Sequence, residues 1–176
     1  MVGQVGCGKS TLLATIMQES NLTKGEIERK GRVAYVEQDP FILSDTVQNN
    51  VLFGRELDED WMQQVVSVCQ LEPDLELFPR GILTQIGEQG VNISGGQRAR
   101  IALARAVYSR ADIYLLDDPL SAVDPAVANQ IFEKCVKGVL REKACILVTH
   151  QLHFLNRVPR ILVLDNKGRQ EFLGTY

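Results

Sequence analysis

The sequence predicts an α/β fold: a mostly parallel sheet with a helical segment inserted between two of its strands. Three observations carry this expectation. Apolar runs of four to six residues, at 33–36, 113–116, 145–148 and 161–164, have the length and branched composition of strands buried on both faces. Helical patterns lie between them, and strands that alternate with helices pair in parallel. The stretch from about 40 to 110 carries helical patterns but no clear strand, so it reads as an insertion. The division that follows is a sheet core of residues 1–39 and 111–176 around a helical segment of about 40–110, within one domain.

Taken in order, Met1-Val2 supplies only the end of a strand before a glycine-rich loop. A helix over 11–18 follows that loop, and 33–36 is the first full strand. A helix over 61–68 is amphipathic and stops before the Pro73 break. Residues 96–108 form a helix with Ile101, Ala104 and Tyr108 on one face and Arg98 and Arg105 off it. The 113–116 strand runs into Asp117 and Asp118, and Pro119 ends it. A helix over 127–140 leads to the 145–148 strand. The 161–164 strand ends at the turn signal Asp165-Asn166-Lys167-Gly168. Neither an internal repeat nor a linker is visible.

A chain of 176 residues is long enough for one domain with a real core. Apolar residues make up 45% and charged residues 23%, the balance of a globular protein rather than a disordered or fibrous one. No apolar run approaches the roughly 18–20 residues that cross a bilayer, so any membrane link is expected from a partner or from sequence outside this chain. Because Met1-Val2 runs straight into the glycine loop, no secretory leader is expected. Net charge is −3, from 19 Lys and Arg against 22 Asp and Glu, which argues against a nucleic-acid surface. The cysteines Cys7, Cys69, Cys135 and Cys145 have neither CxxC spacing nor paired histidines nearby. Zinc and a disulfide framework are therefore not expected, and a reduced setting fits. Cys69, Cys135 and Cys145 read as buried filler.

The chemistry lies in three separated motifs. Gly3-Gln4-Val5-Gly6-Cys7-Gly8-Lys9-Ser10 fits G-x-x-x-x-G-K-[ST], and Thr11 follows. Glycines let the backbone wrap a phosphate with its amides pointing inward, and the next helix adds its positive end. In such a loop Lys9 reaches the β- and γ-phosphates, and the Ser10 hydroxyl binds Mg²⁺. A chance glycine turn has the same look when taken alone, so the second motif matters. The strand that ends at Asp117 puts an acid at the carboxyl end of a parallel strand, beside the ligand crevice of such folds. There the carboxylate can hold Mg²⁺. Adjacent strand residues face opposite ways, so Asp118 joins the same site only where it begins a turn; otherwise it is a solvated turn or cap residue. Third, Ser94-Gly95-Gly96-Gln97 opens a helix, with Ser94 as cap and the glycine amides at the positive end. This is either a second anion site, far along the chain from the first, or an ordinary capped helix start.

In this order and spacing the motifs resemble the nucleotide-binding domain of ATP-binding-cassette transporters, over nearly the whole chain. The resemblance implies a P-loop NTPase core, RecA-like over 1–39 and 111–176, with a helical subdomain at about 40–110. Gly3, Val5, Gly6, Cys7, Gly8, Lys9, Ser10 and Thr11 match the Walker A loop and imply contacts to ATP. Gln38 matches the Q-loop glutamine, which in the family touches Mg²⁺ and the attacking water. Ser94, Gly95, Gly96 and Gln97 match the signature motif, with Ile93 where leucine is usual. Asp117 matches the Walker B acid, and Ser121-Ala122-Val123-Asp124 resembles the D-loop. His150 matches the switch histidine that senses the γ-phosphate; His153 has no counterpart and reads as structural. The catalytic group implied is Asp118, His150 and Gln38, and the metal ligands are Ser10, Gln38 and Asp117. Residues 84–90 resemble the X-loop of exporters. The stretches 116–124 and 148–152 are similar to the first nucleotide-binding domain of the multidrug-resistance-associated (C) subfamily. Phe53 matches an aromatic that packs on a transmembrane coupling helix, and it fits a core phenylalanine equally well. ATP and Mg²⁺ are the implied cofactors. The implied partners are a second nucleotide-binding domain, head to tail, and the transmembrane domains of an exporter, with this chain on the cytoplasmic face and without nucleic acid.

Departures from the family pattern sharpen these expectations. Most members carry glutamate at the position of Asp118, where it orients or deprotonates the attacking water. Aspartate is one carbon shorter, about 1.5 Å of reach. General-base help is worth ~10²–10⁴-fold, so slow hydrolysis at this chain's own site is expected, while its signature completes the partner's site. The alternative is an ATP-binding regulatory module of a channel or receptor without useful hydrolysis. A DNA-repair or chromosome-maintenance ATPase is a poorer alternative, because those insert long coiled coils between loop and signature; here about 80 residues without sustained heptads lie between them. Cys7, beside Lys9 and a helix N-terminus, is expected to favour thiolate and to react with maleimide unless ATP protects it. The aromatic that stacks on adenine in the family, and the antiparallel β segment upstream of the loop, have no counterpart here. N-terminal truncation and poor folding of the isolated chain are expected.

Overall fold

Among the described residues five parallel strands deliver their carboxyl ends to one side of the sheet, and the segments that carry Lys9, Gln38, Asp118 and His150 leave from there. The structure is a computed structural model that describes residues 1–88 and 90–176. In chain order the elements are β1 (Val2–Gly3), α1 (Lys9–Met17), β2 (Val33–Val36), β3 (Asp45–Thr46), α2 (Val47–Leu52), α3 (Glu59–Val68), α4 (Glu72–Leu77), β4 (Gln85–Ile86) and α5 (Gly95–Tyr108). Then come β5 (Ile113–Asp117), α6 (Pro125–Ile131), β6 (Ala144–Val148), β7 (Ile161–Leu164) and β8 (Gln170–Gly174). Short 3₁₀ segments cover Gly81–Leu83 and Leu152–Arg157.

β2, β5 and β6 pair in parallel, with β5 in the middle: Val33 lies opposite Ile113, and Asp117 opposite Val148. β1 pairs in parallel with β7, and β8 returns antiparallel along β7. Met1 joins the two halves, since its amino group donates to Leu147 O at 2.6 Å and its carbonyl accepts from Thr149 N at 3.2 Å. The strand order is therefore β2-β5-β6-β1-β7-β8. β5 is a continuous apolar run because both its faces are covered. Leu115 packs with Leu13 and Val148, while Tyr114 and Leu116 point into the larger core with α5 and α6.

Between β2 and β5 the chain builds its helices around α5. Ala99, Ala102, Leu103, Ala104, Ala106 and Val107 are all buried, and the small alanines among them let α5 lie close to β2, α2 and α3. Two short strands also occur in this stretch, where none is expected. β3 and β4 pair antiparallel, Asp45 opposite Ile86 and Thr46 opposite Gln85, and two-residue strands show no periodicity in the sequence. The helix expected over 127–140 is α-helical only through Ile131 and widens to a π-helix at Phe132–Val139. Cys69 and Cys135 are buried, as expected of filler, but Cys145 is only partly so. Among the described residues no helix is long and apolar enough to cross a membrane.

Candidate functional site

The glycine loop leaves β1 and ends at the start of α1. Gly6 (φ 80°) and Gly8 (φ 94°) are left-handed, and a Cβ at either would meet nothing within 4 Å. Glycine is needed there for backbone conformation, not for space. Gly8 caps α1 without a side chain, which leaves the first helical amides at the loop. Lys9 lies along the loop, 7% exposed, and its ammonium donates to Gly3 O at 3.0 Å and Gln4 O at 2.8 Å. Ser10 and Thr11 are exposed, as are Gln4, Val5 and Gly6. Cys7 is the enclosed member of the loop, at 3% exposure, with Sγ 3.8 Å from Lys9 Nζ. A Cβ at Gly3 would come within 2.7 Å of that Sγ. Maleimide therefore reaches the thiol only when the loop opens.

Asp117 and Asp118 are 3% and 4% exposed. Tyr35 Oη donates to Asp117 Oδ2 at 3.4 Å, a long contact from the neighbouring strand. Burial, and next the Asp117 charge, push the Tyr35 phenol up to about 12. Asp118 is left-handed (φ 49°) and begins a turn: its carbonyl accepts from Ser121 N at 3.2 Å and from Ser121 Oγ at 2.8 Å. Such a turn is the condition the sequence sets for Asp118 to face the same site as Asp117. Burial raises the Asp118 carboxyl above its ordinary range. His150 offsets this through its charge and its backbone N–H, Asp117 adds to it, and Lys9 offsets it. Asp118 Oδ1 is enclosed without a hydrogen-bond partner. Lys9, Asp117, Asp118 and His150 thus share one electrostatic neighbourhood. His150 and Gln38 are exposed, each two residues past the end of its strand. Sequence reasoning missed Tyr35, which is recognisable only once β2 pairs with β5. It also missed Gln151, whose Nε2 donates to Leu120 O at 3.0 Å and ties the loop after β6 to the loop after β5.

Ser94 and Gln97 form a capping box. Ser94 Oγ accepts from Gln97 N at 3.1 Å, and Gln97 Oε1 accepts from Ser94 N at 2.8 Å. Gly95 is exposed, whereas a Cβ on Gly96 would lie 2.8 Å from Ala122 O. The start of α5 is thereby packed against the 121–124 turn that follows Asp118. Gly96→Ala is expected to cost about 1–3 kcal/mol, because a backbone carbonyl must yield; urea unfolding checks this, and an unchanged midpoint would count against the close approach. The X-loop resemblance at 84–90 includes Gln89, which lies outside the described residues.

A family profile described as ABC transporter matches residues 1–121. The chain belongs to the ABC transporter family. Curated relatives place this ABC domain in the C subfamily. It is 49% identical over 176 residues to the ABC transporter C family member 12 of Dictyostelium discoideum, covering 100% of this chain and 13% of that protein. It is 48% identical over 176 residues to the human ATP-binding cassette sub-family C member 4, again covering 100% of this chain and 13% of that protein. It is 49% identical over 174 residues to the ABC transporter C family member 9 of Arabidopsis thaliana, covering 99% of this chain and 12% of that protein. The ABC domain is thus a small part of the length of the relatives it matches.

Proposed function

We propose that this ABC domain binds ATP with Mg²⁺ at its own P-loop, hydrolyses it slowly, and lends its signature helix to the site of a second nucleotide-binding domain. The observation that carries this reading is Asp118. Its buried carboxylate with an unpartnered oxygen suits a role toward water or phosphate, and burial raises its proton affinity, as a base requires. What it lacks is the reach of one methylene, about 1.5 Å.

Ser10, Gln38 and the enclosed Asp117 carboxylate form an all-oxygen donor set, which fits Mg²⁺. When bound, that ion would neutralise phosphate charge. The chain's own groups bind and orient. The amides of Gly3, Val5, Gly6, Cys7 and Gly8 and the start of α1, with Thr11, cradle the phosphates. Lys9 exchanges its loop carbonyls for phosphate oxygens, Gln38 and His150 flank the γ-phosphate, and Asp118 orients the attacking water. Ser94, Gly95, Gly96 and Gln97 close on the partner's ATP.

In the same reading residues 1–39 and 111–176 are the RecA-like core, with the helical subdomain at about 40–110. The motor would sit on the cytoplasmic face of a membrane and power export through transmembrane domains. Phe53 supports such docking. It is exposed rather than core, sits in a left-handed turn, and lies with Phe41 under the Arg105 guanidinium, 5.0 and 4.5 Å from the two rings. Asp118 also favours a narrower reading, a regulatory ATP-binding module whose own turnover is unused. The experiment is Asp118→Glu in the full-length transporter, with single-turnover hydrolysis read at this site. A rise of roughly 10–100-fold is expected, at or below the lower end of the general-base range because glutamate is less at ease in a left-handed turn. No rise would overturn slow hydrolysis by lost reach.

A further inference from the structure

We infer that Asp74, at the start of α4, is the positioning residue of the signature loop. The inference rests on the reading that Ser94 meets the partner's ATP. Asp74 is 8% exposed, and its Oδ1 accepts from Gln97 Nε2 at 3.0 Å. The other end of the same amide, Gln97 Oε1, accepts from Ser94 N at 2.8 Å, and Gln97 N donates to Ser94 Oγ at 3.1 Å. A glutamine side chain with no hold on its amide would satisfy the cap in only some of its rotamers. Asp74 fixes that amide from outside the helix. Ser94 Oγ accepts from the backbone, so its hydroxyl proton remains to donate outward to an anion. A continuous chain of hydrogen bonds therefore runs from α4 to the serine hydroxyl.

A carboxylate so near a helix N-terminus would weaken an anion site. Arg100 removes that penalty, with Nη2 2.6 Å from Asp74 Oδ2 and side chains only 13% and 11% exposed. The contact is a close ion pair rather than an aligned hydrogen bond, and Asp74 Oδ2 and Arg100 Nε are enclosed without aligned partners. A plain stabilising pair accounts for Arg100 and leaves the Gln97 bond unexplained; buried pairs are in any case weak sources of stability. Charge cancelled on one oxygen and geometry delivered by the other is the arrangement that a positioning residue needs.

The test uses the full-length transporter that carries this chain, with turnover of the partner site, nucleotide labelling of this chain's P-loop and melting temperature as readouts. Asp74→Ala and Gln97→Ala are each expected to lower turnover about tenfold, by misplacing the serine, and to leave labelling unchanged. The double variant falls no further than the lower single one. Asp74→Asn keeps an oxygen for Gln97 and strands the Arg100 charge, so its melting temperature falls while turnover per folded molecule stays within about twofold of wild type. Turnover that tracks melting temperature across the variants overturns the inference, as does additive loss in the double variant. Where Asp74→Ala does not fold, equal loss in Asp74→Asn and Gln97→Ala overturns it. Ser94→Arg separates the two readings. If it leaves turnover intact, the trans-site reading falls; if it abolishes turnover and Asp74→Ala does not lower it, only the role of Asp74 falls.

Discussion

Lys9→Ala is expected to weaken ATP binding at this chain's P-loop by about a hundredfold, the loss of roughly 3 kcal/mol of charge-assisted hydrogen bonding. The lysine is not a free surface charge. It is buried along the loop and held by Gly3 O and Gln4 O, so its ammonium already lies on the loop proposed to take the phosphates. The same contacts mean that its removal costs some loop stability, since two carbonyls lose their charged donor. Nucleotide photolabelling of this chain, run beside a thermal melt, separates the two effects. A melting temperature lowered by a few degrees with labelling undiminished would contradict the assignment of Lys9 to phosphate.

The second large effect falls on a different nucleotide. Ser94→Arg is expected to reduce turnover at the partner's site by at least about a hundredfold, in line with the loss of one preorganised donor to a developing anion. This chain's own P-loop should still bind ATP within about twofold, since no group of the Lys9 loop is changed. Arginine also destroys a helix cap, worth about 0.5–2 kcal/mol, so the variant alone mixes folding with chemistry. Ser94→Asp resolves this. Aspartate keeps an oxygen for Gln97 N and remains a good cap, but it sets a negative charge where the hydroxyl is proposed to meet phosphate. Turnover should fall in Ser94→Asp with the melting temperature held. ATPase assays of both variants check the pair, and intact activity in Ser94→Asp would remove the signature helix from the partner site.

Much of this was legible in the residues, and the limits have physical causes. β5 declares itself because it is central and covered on both faces, so every residue from Ile113 to Leu116 must be apolar. The P-loop, the Asp117-Asp118 pair and the capping box are short-range motifs whose chemistry is written within a few neighbouring residues. β3 and β4 were illegible because pairing over two residues is set by register, not by pattern. The helices α2 and α4 are six residues each, too short for an amphipathic stripe, although Thr46 caps the first by accepting from Asn49 N at 3.0 Å. β8 hides because it lies at a sheet edge and is mostly exposed. Within the site, the contacts missed are those between residues distant in sequence. Tyr35 and Asp117 meet through strand pairing, Asp74 and Gln97 through helix packing, and Gly96 and Ala122 through the fold of the loop after β5. No single segment encodes any of them.

We propose that this chain serves two unlike sites, a slow one at Lys9 and a faster one through Ser94. The most direct measurement is the nucleotide that each site holds during turnover. Full-length transporter hydrolysing photoreactive ATP would be quenched and cleaved between its two domains, and the ATP and ADP bound to each fragment counted. Mostly uncleaved ATP on this chain, with ADP on its partner, is the expected result. Equal fractions of ADP on the two would contradict it.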